Sequence, residues 1–332
     1  MRRRSQRRAW RATLERGRPW IQGGRSAEVS PAPPRARATR GHVEFWQSIA
    51  VTEMDQLIEL AQLAEEVGFA GVSVADHLVK PLEIRSRYPY SEDGEPFWEA
   101  DEPFPDPWVL IAALAAETSR VRLMPYIYVL PLREPFSVAK AVSSAAVLSG
   151  DRVVLGAGVG WMQEEFELVE QAFAARGRRT DEMLEVFEKL MSGAPVAHEG
   201  EFYNFDPVQM SPVPNRRIEV RIGGHSPAAL RRAARHDGWV GVTYQPEELE
   251  EIVATLYEER VALGRGDQPF DVMLGHYSTR ADADEYARYR DAGATSFHVP
   301  PWRYRGEEEF SFDQKRRSLE VFAERYIVPM AG

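Results

Sequence analysis

The sequence predicts an α/β protein, a closed (β/α)8 barrel with insertions after its second and fourth strands. Three observations carry this. Eight short apolar runs alternate with helical patterns from about residue 43 to residue 326, the signature of a parallel sheet with crossover helices. The unit EEVGFAGVSV near residue 70 is echoed by YRDAGATSFHV near residue 295, each a helix end, a glycine and a strand. No G-x-G-x-x-G follows the first strand, where an open dinucleotide-binding sheet would need one. The open doubly wound sheet is the alternative.

The elements follow in order. Strand one is expected at 43–50. Thr52 and Asp55 offer a capping box. Leu57, Leu60, Ala61, Ala64 and Val67 then share one helix face, and Gly68 supplies the left-handed stop. Strand two, 71–75, ends at Asp76-His77 and is followed by a long excursion, 78–105, rich in Pro, Tyr and acid. Asp106-Pro107 opens the next helix as N-cap and first residue. Strand three spans 121–129. Pro135 and Gly150 bracket a helix, and strand four is 152–158. Helices at 163–174 and 180–191 precede a second insertion, 196–214, expected as a hairpin and loop. Strand five is 218–222, with Ser226-Pro227 capping its helix. Strand six is 239–242, and Pro246 opens a helix to about 263. Strands seven and eight, 270–277 and 295–299, flank a helix at 283–291. A last helix covers 313–326.

Composition bounds the function. The 332 residues are 44% hydrophobic and contain no cysteine, which excludes disulfides, thiolate metal sites and a cysteine nucleophile. No apolar run is long enough to span a membrane. Residues 1–40 carry twelve Arg against two Glu, so this segment is +10 and the rest of the chain −20 within a net charge of −10. The segment has no apolar h-region and is expected to be a disordered or non-native extension. Residues 41–332 form the barrel domain. An acidic body argues against nucleic acid as a partner. A cytoplasmic enzyme with a small-molecule substrate fits.

Barrel active sites lie at the C-terminal ends of the strands. This gives a short list. Asp76 and His77 end strand two, where a carboxylate can orient an imidazole for proton transfer; structurally, the pair could simply cap a loop. Tyr126, Ile127 and Tyr128 end strand three and could wall a flat ring, or be core alternation. Strand four reads LGAGVGWMQEEF. Gly158, Val159, Gly160 and Trp161 leave a nearly bare strand end that a planar ligand can approach, or that a neighbouring strand can press against. The acidic pair Glu164-Glu165 follows at a helix start. Gly223, Gly224, His225 and Ser226 run into a capped helix N-terminus, which suits a phosphate and also makes an ordinary tight turn. The seven histidines show no metal-ligand spacing, although His77, His225, His276 and His298 fall at strand ends and keep a metal-dependent hydrolase open.

These landmarks resemble the luciferase-like monooxygenase superfamily. The segments that carry it are AEEVGFAGVSVADHL, PLREPFSVAKAVSSAAVLSGDRVVLGAGVGWMQEEF, RGRRTDEMLEVFEKLMSG and IGGHSPAALRRAARHDGWVG. HVEFWQSIAVTEMDQL and SRYPYSEDG are similar to the branch that uses coenzyme F-420. The resemblance implies a barrel with these two insertions and a cofactor ring at the strand C-termini. It places a non-proline cis peptide near Tyr126-Ile127, and it implies a homodimer. Asp76-His77 matches the Asp-His of sugar-phosphate dehydrogenases in that branch. Those relatives carry an acid just after the strand-four glycines where this sequence has Trp161, which implies a pocket wall there instead.

The implied reaction is hydride transfer between coenzyme F-420 and an organic substrate. His77 would move the proton and Asp76 would orient it. Tyr126, Ile127 and Tyr128 would back the ring. The segments Gly158–Trp161 and Gly223–Ser226 would seat it and its phosphate side. The alternative within the family is an FMN-dependent monooxygenase served by a separate flavin reductase. A ligand-binding barrel without turnover is the reading from another class.

Overall fold

The computed structural model describes residues 43–96, 98–276, 283–302 and 310–330; the basic segment 1–40 lies outside them. The barrel contains β1 (Glu44–Ser48), β2 (Gly71–Val74), β3 (Arg122–Pro125), β4 (Tyr128–Val129) and β5 (Val154–Gly158), then β8 (Glu219–Gly223), β9 (Gly238–Gly241), β10 (Asp271–Gly275) and β11 (Ser296–Val299). The intervening β6 (Val196–Glu199) and β7 (Asn204–Val208) pair antiparallel outside it, as the expected hairpin in the second insertion.

All barrel pairs are parallel, in the order β3-β2-β1-β11-β10-β9-β8-β5-β4. The third barrel strand is therefore two strands. β3 pairs with β2, β4 pairs with β5, and a bridge between Leu123 and Val153 joins the two edges. This corrects the unbroken run expected over 121–129 and closes a ring of eight. The Tyr126–Ile127 bond between the halves is cis, at the place the resemblance indicated.

The helices are α1 (Leu57–Glu66), α2 (Pro107–Glu117), α3 (Pro135–Ser149), α4 (Gln163–Leu168), α5 (Arg176–Met191), α6 (Pro227–Ala234), α7 (Pro246–Ala262), α8 (Ala283–Asp291), α9 (Phe312–Phe322) and the short α10 (Val328–Met330). Three starts are capped as anticipated or nearly so. Asp106 accepts from Trp108 and Val109 amides, Ser226 accepts from the Ala229 amide, and Glu134 accepts from Phe136 and Ser137 amides ahead of Pro135. Gly68 and Gly150 take positive φ at the helix ends, 98° and 68°. The Thr52/Asp55 box does not form: α1 begins after Gln56 with no side-chain cap, and the Thr52 hydroxyl donates to the Ala50 carbonyl instead. The helix expected over 163–174 stops at Leu168, and α5 starts four residues early, at Arg176.

Side chains alternate between two cores. Phe45, Val72, Leu123, Leu155 and Phe297 face the helices, whereas Trp46, Met124, Val154, Val240 and Met273 fill the barrel. Gly71 makes room for the Trp46 ring, since a Cβ there would stand 2.3 Å from it. At the N-terminal end Arg122 pairs with Glu44 and Glu219, while Arg221, 1% exposed, pairs with Glu219 at 2.6 Å and Asp271 at 2.9 Å. Both guanidinium groups lie over Trp46, at 4.7 and 5.1 Å. This layer fills the barrel interior at that end, which leaves the C-terminal end for chemistry.

Candidate active site at the strand C-termini

Above the Trp46 layer, Tyr126 lies flat on His298 of β11, with centroids 3.6 Å apart and planes within 4°. The Tyr126 hydroxyl donates to the Gly241 carbonyl at 3.1 Å. Burial pulls the His298 pKa down to about 3, so this imidazole is neutral across the physiological range.

Ile127 stands beside this stack, half-buried, between β5 and β8. A Cβ on Gly158 would lie 2.9 Å from its Cγ2, and one on Gly223 would lie 2.9 Å from its Cγ1. Gly156 faces the Pro125 carbonyl at 2.2 Å and Gly160 faces Val129 at 2.6 Å in the same sense. The glycines of strand four therefore make room for the neighbouring strand. What they leave towards solvent is a surface of Tyr126, Ile127, Val159, Gly160 and Trp161, all partly exposed. Gly224 takes φ 116°, donates its amide to the Val240 carbonyl and accepts from the Trp239 indole; His225 is exposed, 5.8 Å from the Tyr90 ring.

Tyr128 does not join this surface. It is 3% exposed, packs edge-on to Trp108 of α2 at 5.5 Å and lies under the Arg133 guanidinium at 4.3 Å. Burial pushes its phenol up to about 12. It belongs to the helix layer, contrary to expectation, because β4 starts a new pairing and the inward–outward parity of β3 does not carry across.

His77 is placed by a different acid from the one expected. Asp76 is fully occupied elsewhere. Its two carboxylate oxygens accept from Arg133 at 2.6 and 2.7 Å, and one accepts the Val129 amide at 2.8 Å. Asp76 thus ties β2 to the end of β4 and is no partner of the imidazole. His77 Nδ1 instead lies 2.9 Å from Glu165 Oε2, and Glu165 Oε1 accepts the Leu78 amide at 2.7 Å.

Glu164, one residue earlier on α4, accepts the Arg85 and Ser86 amides at 2.7 and 3.1 Å. Burial works against this carboxylate. Its own amide, the Ser86 hydroxyl and those two amides outweigh burial and hold its pKa at about 2. Consecutive acids therefore anchor the first insertion to the start of α4. In the sequence Glu164-Glu165 shows only as an acidic pair at a helix start.

The insertion and the end of β5 lay rings over His77. Trp98 is 4.7 Å away, tilted by 30°, with Phe104 at 5.6 Å and Trp161 at 6.0 Å. Tyr88 closes the group, 5.1 Å from Trp161 and 5.7 Å from Trp98. The His77 side chain retains 11% of its exposure.

The four strand-end histidines do not converge. His276 turns to the helix layer, 3.0 Å from Glu285, and His298 lies beneath Tyr126. Among the described residues no group of His, Asp and Glu could hold a metal ion. A cavity of about 520 Å³ does exist at the opposite end of the barrel, lined by Glu188, Arg217, His236, Asp237 and Arg265. Its carboxylates are engaged, with Arg217 bridging Asp237 at 2.6 Å and Glu188 at 3.2 Å. It lies where barrel loops carry stability and not chemistry. No helix among the described residues is long and apolar enough to cross a membrane.

The chain is similar to known proteins over most of its length. An uncharacterised protein of Mycobacterium tuberculosis is 36% identical over 289 residues, 86% of this chain and 99% of that protein. An F420-dependent glucose-6-phosphate dehydrogenase of Microbacterium testaceum is 28% identical over 226 residues, 66% of this chain and 62% of that protein. Among solved structures, an F420-dependent secondary alcohol dehydrogenase in complex with an F420-acetone adduct superimposes with a TM-score of 0.70 at 16% identity, covering 88% of this chain and 99% of that one. Residues 30–323 match the family model for luciferase-like monooxygenases, and the chain belongs to that family of oxidoreductases.

Proposed function

We propose that the chain transfers a hydride between coenzyme F-420 and a small planar organic substrate at the strand C-termini. The observation that carries this reading is the half-exposed Ile127 between Gly158 and Gly223, with the Tyr126–His298 stack beside it. Together they offer an apolar floor of the kind a flat tricyclic ring needs, bounded by backbone that lets such a ring approach. The similarity to an F420-dependent dehydrogenase favours the deazaflavin.

The residues present fit the group. Tyr126, Ile127 and Val159–Trp161 would hold the ring. Gly223–Ser226 would hold its phosphate side, where the amides at the start of α6 favour an anion. When bound, a deazaflavin supplies hydride-carrying capacity, and the protein supplies orientation. His77 holds the proton that balances the transfer. Trp98, Phe104, Trp161 and Tyr88 exclude water from it and present an uncharged, aromatic wall to the substrate.

We also propose a homodimer. Its support is α2, which is apolar on its outer face as well as its inner one: Val109 is 72% exposed, beside exposed Ala113 and Ala116.

The test is a titration of the full chain with coenzyme F-420 and with FMN, followed by tryptophan fluorescence. Trp98 and Trp161 stand at the site and report ring binding. Quenching by coenzyme F-420 with little response to FMN supports the proposal. The reverse assigns an FMN-dependent monooxygenase with a separate reductase; the family's description names a monooxygenase. Silence from both removes the cofactor reading.

A further inference from the structure

We infer that Glu165 is the positioning residue for His77: it holds the proton on Nδ1 and leaves Nε2 as the ring nitrogen that exchanges a proton with the substrate. The tautomer rests on geometry alone, and only the proton exchange rests on the proposed hydride transfer.

A carboxylate accepts hydrogen bonds and offers none. Glu165 already receives the Leu78 amide on Oε1, so the 2.9 Å contact on Oε2 places a hydrogen on Nδ1 of His77. The same carboxylate grips the ring and the main chain directly after it. The imidazole therefore has one permitted rotation, reinforced by Trp98 at 4.7 Å. Among the described residues Nε2 has no protein partner.

The charged groups facing His77 are few. Glu165 comes from α4. Asp76, the residue before His77, is paired with Arg133. The first insertion contributes rings. Glu165 thus acts as the carboxylate that fixes the tautomer.

In the reducing direction, a bound deazaflavin would supply the hydride to an electrophilic carbon of a C=O or C=C group. The π pair would move to the far atom, which takes the Nε2 proton, and the N–H electron pair would remain on nitrogen. The outcome would be the reduced substrate, the oxidised cofactor and neutral His77 protonated on Nδ1.

The experiment is two-bond ¹H–¹⁵N NMR on the cofactor-free full chain labelled in histidine, with the His77 signal assigned by its loss in His77→Gln. The expected result is the Nδ1-protonated tautomer of the neutral ring. Glu165→Gln preserves shape and an acceptor for Leu78. With that oxygen kept on Leu78, its NH2 faces Nδ1, so the neutral ring should move to the Nε2-protonated tautomer. In turnover assays with coenzyme F-420, Glu165→Gln should lower kcat more than it raises KM. A purely structural Glu165 would leave the His77 tautomer unchanged in Glu165→Gln, and that result, or a wild-type ring protonated on Nε2, overturns the inference. The expected tautomers without turnover would leave Glu165 assigned and remove the proposed function.

Discussion

The imidazole of His298 is stacked within the barrel against Tyr126, 3.6 Å away and nearly parallel, where burial holds its pKa at about 3. In the unfolded chain the same group titrates near 6.5. Between these values the unfolded state binds the extra proton, so stability rises with pH across this window and is fully present above it. Acidification below about 6.5 should cost up to roughly 1.4 kcal/mol per pH unit from this residue alone. His298→Phe keeps a ring against Tyr126 and removes the proton. Its melting temperature, followed from pH 7 to pH 5, should fall less than that of the wild type.

Ile127 and its two glycines make a size-matched set. Gly223→Ala would drive a methyl group to within 2.9 Å of Ile127 Cγ1. The expected loss is about 1–3 kcal/mol, the usual range for overpacking, together with weaker cofactor binding. Ile127→Ala in the same chain should recover part of the stability lost to Gly223→Ala. A denaturant double-mutant cycle measures this coupling, and additive losses would show that the two side chains do not meet.

Removing the imidazole should separate chemistry from binding. His77→Ala is expected to lower turnover by about 10²–10⁴-fold, the ordinary worth of a general acid–base group, while the affinity for the cofactor stays within a few-fold. Steady-state kinetics beside the fluorescence titration checks both halves. Undiminished turnover would take His77 out of the mechanism.

The outer face of α2 gives the assembly prediction. Val109 is largely exposed and has no role in the core described above. Val109→Glu should leave melting of the isolated fold nearly unaltered and shift a dimer to monomer in sedimentation velocity. A wild-type chain that sediments as a monomer at micromolar concentration would dispose of the dimer.

Much of the architecture was legible because it is written in local pattern. Proline and acid before a helix, glycine after it and eight apolar runs depend on neighbours a few residues apart. Thus Asp106, Ser226, Gly68 and Gly150 behave as the sequence suggests. What local pattern could not reveal is partnership at a distance. Asp76 sits next to His77, yet it is claimed by Arg133, 57 residues away, while His77 is claimed by Glu165, 88 residues away. Tyr126 and Tyr128 look equivalent by alternation. They diverge because one belongs beside a strand paired with β2 and the other to a strand paired with β5. The glycines of strand four were visible as a bare surface, but that Ile127 fills much of it depends on the fold.

The two acids at the start of α4 divide the first insertion into parts with different freedoms. Leu78, Arg85 and Ser86 are tied to one helical turn through Glu165 and Glu164. The span beyond them, which carries Tyr88, Tyr90, Trp98 and Phe104, makes ring contacts within itself and with His77, Trp161 and His225. Descendants of this chain can therefore exchange that span for another, and with it the molecules they accept, while the foot beneath keeps the imidazole in register with the barrel.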